Sequence, residues 1–475
     1  MKKKNNNAVA KSDKEELITA LDIGSSHLRL LSGYVGPDKQ IRIRGYKEIK
    51  SVGYSNGEIN DIGKLASSIA SIVQQFQNEY GIEVKDVVTG VPGHVIQGEN
   101  QQGNITVSSG QVTETDRNRA IENAAAGLQQ LNRNDFVVIH KNPQNYSTES
   151  SENIVNPIGF YAKRLDVNVH FIGCKGLYKK NIEQAVSMIS SNIHTKNVIY
   201  VGNAVSAAAI TENEKEIGVI QADIGGGTIS FTVYDAGKQL ISQGISDGGD
   251  YITNSIAREF AIPKQSAEEL KLKYGIASPD IIPDDQKNYQ LKVEVPTQFS
   301  NQTEEVTITL GELSAVIYRC LGSMFELLFQ RITSHGKSFL KSLDIGAGVV
   351  LTGGTAMLRG IDTVLSDYIN YYTQNPANEF LHCNSKVRIG VPVGLRMCDD
   401  IRIPNELRSS MAPGIAARPD QAVVFGLLRV AKFDNLEQYS NSRSRNDDSD
   451  EVGNGFLRNF KNRMKREVYS TICSL

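Results

Sequence analysis

A chain of 475 residues is too long for one hydrophobic core, so two or more lobes are expected. Its net charge of −2 and 40% apolar content exclude a globally basic nucleic-acid binder and a globally disordered chain. Five cysteines with no CxxC pair speak against a disulfide framework or a structural zinc site and fit a reducing compartment.

Residues 1–16 start basic but lack an apolar stretch, and read as a disordered tail rather than a signal peptide. Residues 17–21 and 27–31 alternate as strands around Asp22-Ile23-Gly24-Ser25-Ser26, a hairpin turn. Apolar spacing through Leu65, Ile69, Ile72, Val73 and Phe76 predicts a helix that stops at Gly81. A strand over 86–89 then runs into Gly90-Val91-Pro92-Gly93-His94. From 95 to 172 the pattern changes to short strands around one helix, 116–131, with Thr115 as its N-cap, which reads as a small α+β insertion. Strand 167–172, helix 177–190, strand 197–201 and an Ala-rich helix 204–212 return to an α/β pattern and close the first lobe.

The second lobe repeats this plan. Strands 218–220 and 229–233 flank Asp223-Ile224-Gly225-Gly226-Gly227-Thr228, 201 residues after the first turn. Helices 253–260 and 265–274, strand-like alternation over 288–310 and a long helix 312–334 follow. A buried strand 349–352 then meets Gly353-Gly354-Thr355 and a helix through Ile361, Val364 and Leu365.

A glycine-rich turn after a strand is ordinarily just a hairpin, and Asp-Ile-Gly also recurs at 61–63 and 344–346. The repetition of a whole strand-turn-strand unit points instead to a phosphate clamp. Glycines let backbone N–H groups face an anion, Ser25, Ser26 and Thr228 add hydroxyl donors, and Asp22 and Asp223 suit Mg²⁺ through its waters. Gly353 and Gly354 suit close approach of a purine. The three elements together predict a nucleotide site between the lobes.

The C-terminal stretch changes character twice. Residues 433–454 are rich in Asn, Ser and Asp and read as a flexible linker with a reach of roughly 25 Å. Residues 455–475 then place Phe456, Phe460, Met464 and Val468 on one helical face beside Leu457, flanked by Arg458, Lys461, Arg463, Lys465 and Arg466. That is the pattern of an interfacial membrane helix, though a helix docked on the core or a nucleic-acid patch is the plainer alternative. No run of 18 apolar residues exists to span a membrane.

Leu21 to Ser26, Ser51-Val52-Gly53, Gly57-Glu58-Ile59 with Asp61, and Gly90 to Val95 resemble stretches of the actin-like ATPase superfamily, and within it the bacterial FtsA cell-division family. Asn156-Pro157-Ile158-Gly159-Phe160, Arg164-Leu165 and the His170 strand resemble the insertion that separates FtsA from actin and its chaperone relatives. Ala267 to Lys271 with Tyr274-Gly275, and Val387 to Gly390, resemble its adenosine-side helix and late strand.

The resemblance implies an α/β fold of duplicated actin-like lobes with a nucleotide cleft. Its first-lobe core would be 17–94, 173–212 and 405–432, with the FtsA-type insertion at 95–172. The second-lobe core would be 213–252 and 345–404, with its own insertion at 253–344, and an amphipathic membrane-targeting helix would end the chain.

It implies ATP and Mg²⁺ as ligands. Asp22 and Asp223 would serve the metal, and residues 24–26 and 225–228 the phosphates. Gly353, Gly354, Thr355, Glu268 and Lys271 would surround the adenosine, although an i,i+3 Glu–Lys pair is more often a solvated ion pair. The implied role is a peripheral protein on the cytoplasmic face of the inner membrane at the division septum. There it would polymerise with itself, hold anionic lipid through the tail, capture the C-terminal tail of FtsZ through the second-lobe insertion, and help recruit other divisome proteins, with no nucleic-acid partner. A pilus-assembly relative, or a kinase or chaperone of the same fold, is the alternative.

Two departures stand out. His27 replaces the Lys usual after this turn, and Tyr200-Val201-Gly202-Asn203 lacks the usual Glu-Pro, so slow or absent hydrolysis is expected.

Overall fold

Every residue of Ile18–Ile23 and of Val219–Ile224 is buried, as expected of strands covered on both faces at the centre of a sheet. The computed structural model describes residues 16–443 apart from 37, 130–134, 191, 297–302, 341–342, 379 and 398–417. In the first-lobe sheet the order is His194–Tyr200, Asp86–Val91, Ile18–Ile23, His27–Val35, Ile41–Lys50 and Leu395–Met397. The second-lobe sheet runs Val387–Ile389, Val349–Thr352, Val219–Ile224, Ile229–Asp235 and Lys238–Ile245. In both, three antiparallel strands continue into two parallel ones through the central strand, which is the duplicated fold expected.

Each lobe has its own apolar core. Leu21, Leu30, Ile69 and Phe76 centre the first, and Phe231, Phe325, Phe329 and Leu351 the second. The helix Ile62–Tyr80 starts on the Asp61 carboxylate and ends at Gly81, whose φ of 65° is the left-handed cap the sequence predicts. The insertion is a three-stranded sheet, Ile96–Thr106, Arg164–Lys175 and Phe136–Ser147, backed by the helix Glu114–Gln129 over a third core around Phe171.

Four boundaries differ from expectation. The insertion helix is capped two residues earlier than Thr115: Thr113 Oγ1 accepts from the Asp116 N–H, while the Asp116 carboxylate accepts from the Thr113 N–H. The Ala-rich helix begins at Val201 and ends at Ala209, and Thr211 caps a separate helix, Glu212–Ile217. The chain returns to the first lobe before residue 405, since Leu395–Met397 already pairs in parallel with Ile41–Ile43. Finally, the backbone is helical from Ala422 to Arg443, so the first part of the expected 433–454 linker is helix. The chain divides into Met1–Ala431 and Lys432–Leu475, and the tail residues Phe456 to Arg466 lie outside the described residues.

Candidate nucleotide-binding site

The two turns are built alike. The strand pairs Ile23–Leu28 and Ile224–Ile229 close four-residue turns, with the Gly24 N–H donating to His27 O at 3.1 Å and Gly225 N–H to Thr228 O at 2.9 Å. A Cβ placed on Gly226 would lie 3.5 Å from Ser26 Cβ, so the two turns face each other in contact. One cavity of about 470 Å³ opens between them, within the range of roughly 300–1,000 Å³ usual for cofactor sites.

Every predicted ligand residue of the two lobes lines this cavity: Asp22, Gly24 to Ser26, Asp223, Gly225 to Thr228, Glu268, Lys271 and Gly353 to Thr355. Gly353 adopts φ 86°, and a Cβ there would meet Ile224 O at 2.4 Å, so the third glycine element packs directly on the second turn. Thr355 Oγ1 donates to Gly225 O at 3.1 Å and ties the two together. Lys271 is buried; its Nζ donates to Gly249 O at 3.0 Å and Thr253 Oγ1 at 2.8 Å and pairs with Glu268 at 2.7 Å. The plain reading of an i,i+3 pair in solvent is therefore corrected, because this pair sits in the cavity wall.

Burial governs the two turn carboxylates. It pushes Asp22 up to about 6 against the opposing pull of Arg29, and Asp223 up to about 7 against the hydrogen bond from Thr352 Oγ1 at 2.8 Å. Among the described residues no group of three His, Cys, Asp or Glu side chains is placed to hold a metal. Two carboxylates beside an anion clamp suit Mg²⁺, which is ordinarily held by one or two carboxylates together with phosphate oxygens and water. Burial also lowers His27, leaving it neutral at neutral pH.

Among the lining residues that escape sequence reasoning are the charged Arg29, Glu48, Asp250, Arg418 and Asp420. Arg29 is detectable in principle. A four-residue turn sets it directly across from Asp22, on the same face of the sheet. No local signal brings Arg418 and Asp420 there from nearly 400 residues away. Asn203 is turned away, its Oδ1 accepting from Gln239 Nε2 at 2.6 Å, while Val201 takes the cavity wall at that strand end.

Comparison with known proteins agrees with this architecture. A family profile described as Cell division protein FtsA matches residues 220–412, and one described as the SHS2 domain inserted in FTSA matches 93–173. Cell division protein FtsA of Escherichia coli K12 is 28% identical over 436 residues, covering 90% of this chain and 93% of the relative. That of Buchnera aphidicola subsp. Baizongia pistaciae is 31% identical over 350 residues, covering 73% and 80%. A solved PilM-PilN type IV pilus biogenesis complex superposes with a TM-score of 0.56 at 15% identity, over 86% of this chain and 97% of that one, a likeness of fold.

Proposed function

The chain belongs to the FtsA family of cell division proteins, with an actin-like fold, and from that premise we propose that it is an ATP-holding adaptor that tethers the FtsZ polymer to the membrane. The observation that carries the nucleotide half of this reading is the single cavity into which both glycine turns open. Backbone N–H groups and hydroxyls of residues 24–26 and 225–228 would bind the phosphates. Asp22 and Asp223 would face the Mg²⁺, and Gly353 to Thr355 with Glu268 and Lys271 would enclose the adenosine. Mg²⁺ when bound supplies the charge that lets two buried carboxylates ionise beside phosphates.

Hydrolysis is expected to be slow. Val201 rather than a carboxylate lines the cavity at the end of His194–Tyr200, and Asn203 is engaged by Gln239. Turnover above about 1 s⁻¹ would contradict a structural role for the nucleotide.

The tethering half rests on the amphipathic pattern at 456–468 and on family membership. Basic residues near an anionic leaflet contribute about 1 kcal/mol each, enough for reversible binding that self-assembly would strengthen. Capture of FtsZ is assigned to the second-lobe insertion, and the cytoplasmic face of the inner membrane is the corresponding site of action. Among the described residues no helix is long and apolar enough to cross a membrane. Co-sedimentation with anionic liposomes, with and without ATP, should pellet the full chain and leave a chain ending at Asn454 in solution; equal pelleting of both would remove the tether.

A further inference from the structure

A row of polar side chains runs through the second-lobe sheet, in strands otherwise packed with apolar residues. Gln221, Thr232 and Thr352 are fully buried, and Ser206 is 1% exposed. The strand register sets Gln221 opposite Thr232 and Asp223 opposite Thr352, so these four side chains leave the same face of the sheet. The helix Val201–Ala209 brings Ser206 to that face, with its hydroxyl against Thr232. A buried polar group is costly unless it is paired, so four of them in one row need a reason.

The hydrogen bonds give the row a direction. The Thr352 hydroxyl donates its one proton to Asp223 Oδ1 at 2.8 Å, and its oxygen accepts from Gln221 Nε2 at 3.5 Å. Gln221 Oε1 accepts from the Thr232 hydroxyl at 3.2 Å, which leaves the Thr232 oxygen to accept from the Ser206 hydroxyl at 3.1 Å. Every proton in the row therefore points toward Asp223, and hydrogen bonds chained in this way strengthen one another. The fold itself does not need the row. Two residues before its own turn carboxylate the first lobe has Ala20, set opposite Leu31, both buried, and the turn there is built the same way. The two carboxylates also differ in their partners: Asp22 is paired with Arg29 at 3.5 Å, whereas Asp223 receives its hydrogen bond from a neutral hydroxyl.

We propose that Gln221 and Thr352 are positioning residues for the cation of the cleft: the row holds one oxygen of Asp223 and presents the other to a divalent metal. Neither residue lines the cavity, so both act through Asp223, which does. This rests on the Mg-nucleotide reading of the cavity and adds to it the groups that aim its second-lobe carboxylate. Side chains that fix a metal-binding carboxylate from behind set metal affinity nearly as strongly as the ligand does.

The test is equilibrium titration of the full chain with ATP in Mg²⁺ and again in EDTA, the ratio of the two affinities giving the gain due to the metal. Thr352→Val should cut that gain roughly 10-fold and leave binding in EDTA unchanged, while Thr352→Ser, which keeps the hydroxyl, should restore it. Gln221→Met should cut the gain by a smaller factor. Added to Thr352→Val it should cost nothing further, because the hydroxyl it steadies is already gone. A loss in Thr352→Val that is equal in Mg²⁺ and in EDTA would mark the row as structural support only and overturn the proposal. So would an undiminished gain in Thr352→Val, no recovery in Thr352→Ser, or additive losses in the double variant. A native chain that binds no ATP, or binds it with no gain from Mg²⁺, would remove the Mg-nucleotide reading and the proposal with it, whereas failure of the variant arms alone would leave that reading intact.

Discussion

Asp22 and Asp223 are carboxyls whose burial makes them hold protons more tightly when folded than when unfolded. The folded state therefore binds more protons between about pH 4 and 7, and stability from these two groups falls as pH rises through that window. A bound cation reverses this by favouring the ionised form. Mg-nucleotide affinity should accordingly rise from pH 5.5 to 7.5, with protons released on binding. Titration calorimetry at pH 6.5 in buffers of different ionisation enthalpy would show it, and buffer-independent heats would contradict it. At this scale the sequence was highly legible: the paired turns and Gly353 announced themselves by residue type. Arg29 was overlooked because a lone Arg in a strand carries no motif, and only the strand register reveals that it faces Asp22.

Among the elements, capping chemistry decides boundaries more than apolar periodicity does. Thr309 and Glu312 cap the helix Leu310–Thr333 reciprocally, with the Thr309 hydroxyl accepting from the Glu312 N–H at 3.2 Å and the Glu312 carboxylate accepting from the Thr309 N–H at 2.8 Å. Thr309→Ala should cost about 1 kcal/mol, measured as a lower denaturant midpoint with unchanged slope. No effect would show that packing of Phe325 and Phe329 alone fixes that helix start. The same logic explains the misplaced start at Thr115, where a threonine two residues earlier has the better-spaced acidic partner, Asp116. The Ala-rich helix has no such cap, because Tyr200 precedes it without a side-chain hydrogen bond to it. Its periodic apolar run suggested a start at Ala204, but the backbone turns helical at Val201, which carries Asn203 into the helix and toward Gln239.

Across the whole molecule, the insertion is wired to the second lobe by polar contacts, with the His170–Ser242 pair buried at their centre. His170, fully buried, hydrogen-bonds Asn100 Oδ1 and Ser242 Oγ at 2.8 Å each, Asn142 Nδ2 donates to Gln239 at 2.8 Å, and Asn100 Nδ2 to Leu240 O at 2.9 Å. Burial pushes His170 down to about 3, so it stays neutral at physiological pH and the junction does not loosen with mild acid. Ser242→Ala should destabilise the chain by about 1–3 kcal/mol by leaving the ring nitrogen unpaired, and should speed amide exchange in Arg164–Lys175 and Lys238–Ile245 together. Faster exchange in one strand alone would argue against a shared junction. None of this was legible beforehand, since the residues that meet lie 72 and 97 positions apart with no periodicity to link them.

The cavity wall formed by Arg418 and Asp420 imposes an order on synthesis. Asp22 and Arg29 are among the first folded residues a ribosome releases, yet Asp420, which accepts from Arg29 at 2.9 Å, is made after nearly 400 more, and the Gly353 N–H waits for Pro419 O at 3.1 Å. A nascent chain therefore carries both phosphate turns long before it has a finished pocket. Phe456 and the basic residues after it emerge later still. On the proposed reading, translation alone would thus give a nucleotide the opportunity to settle before any hydrophobic side chain of the tail is free to meet a bilayer.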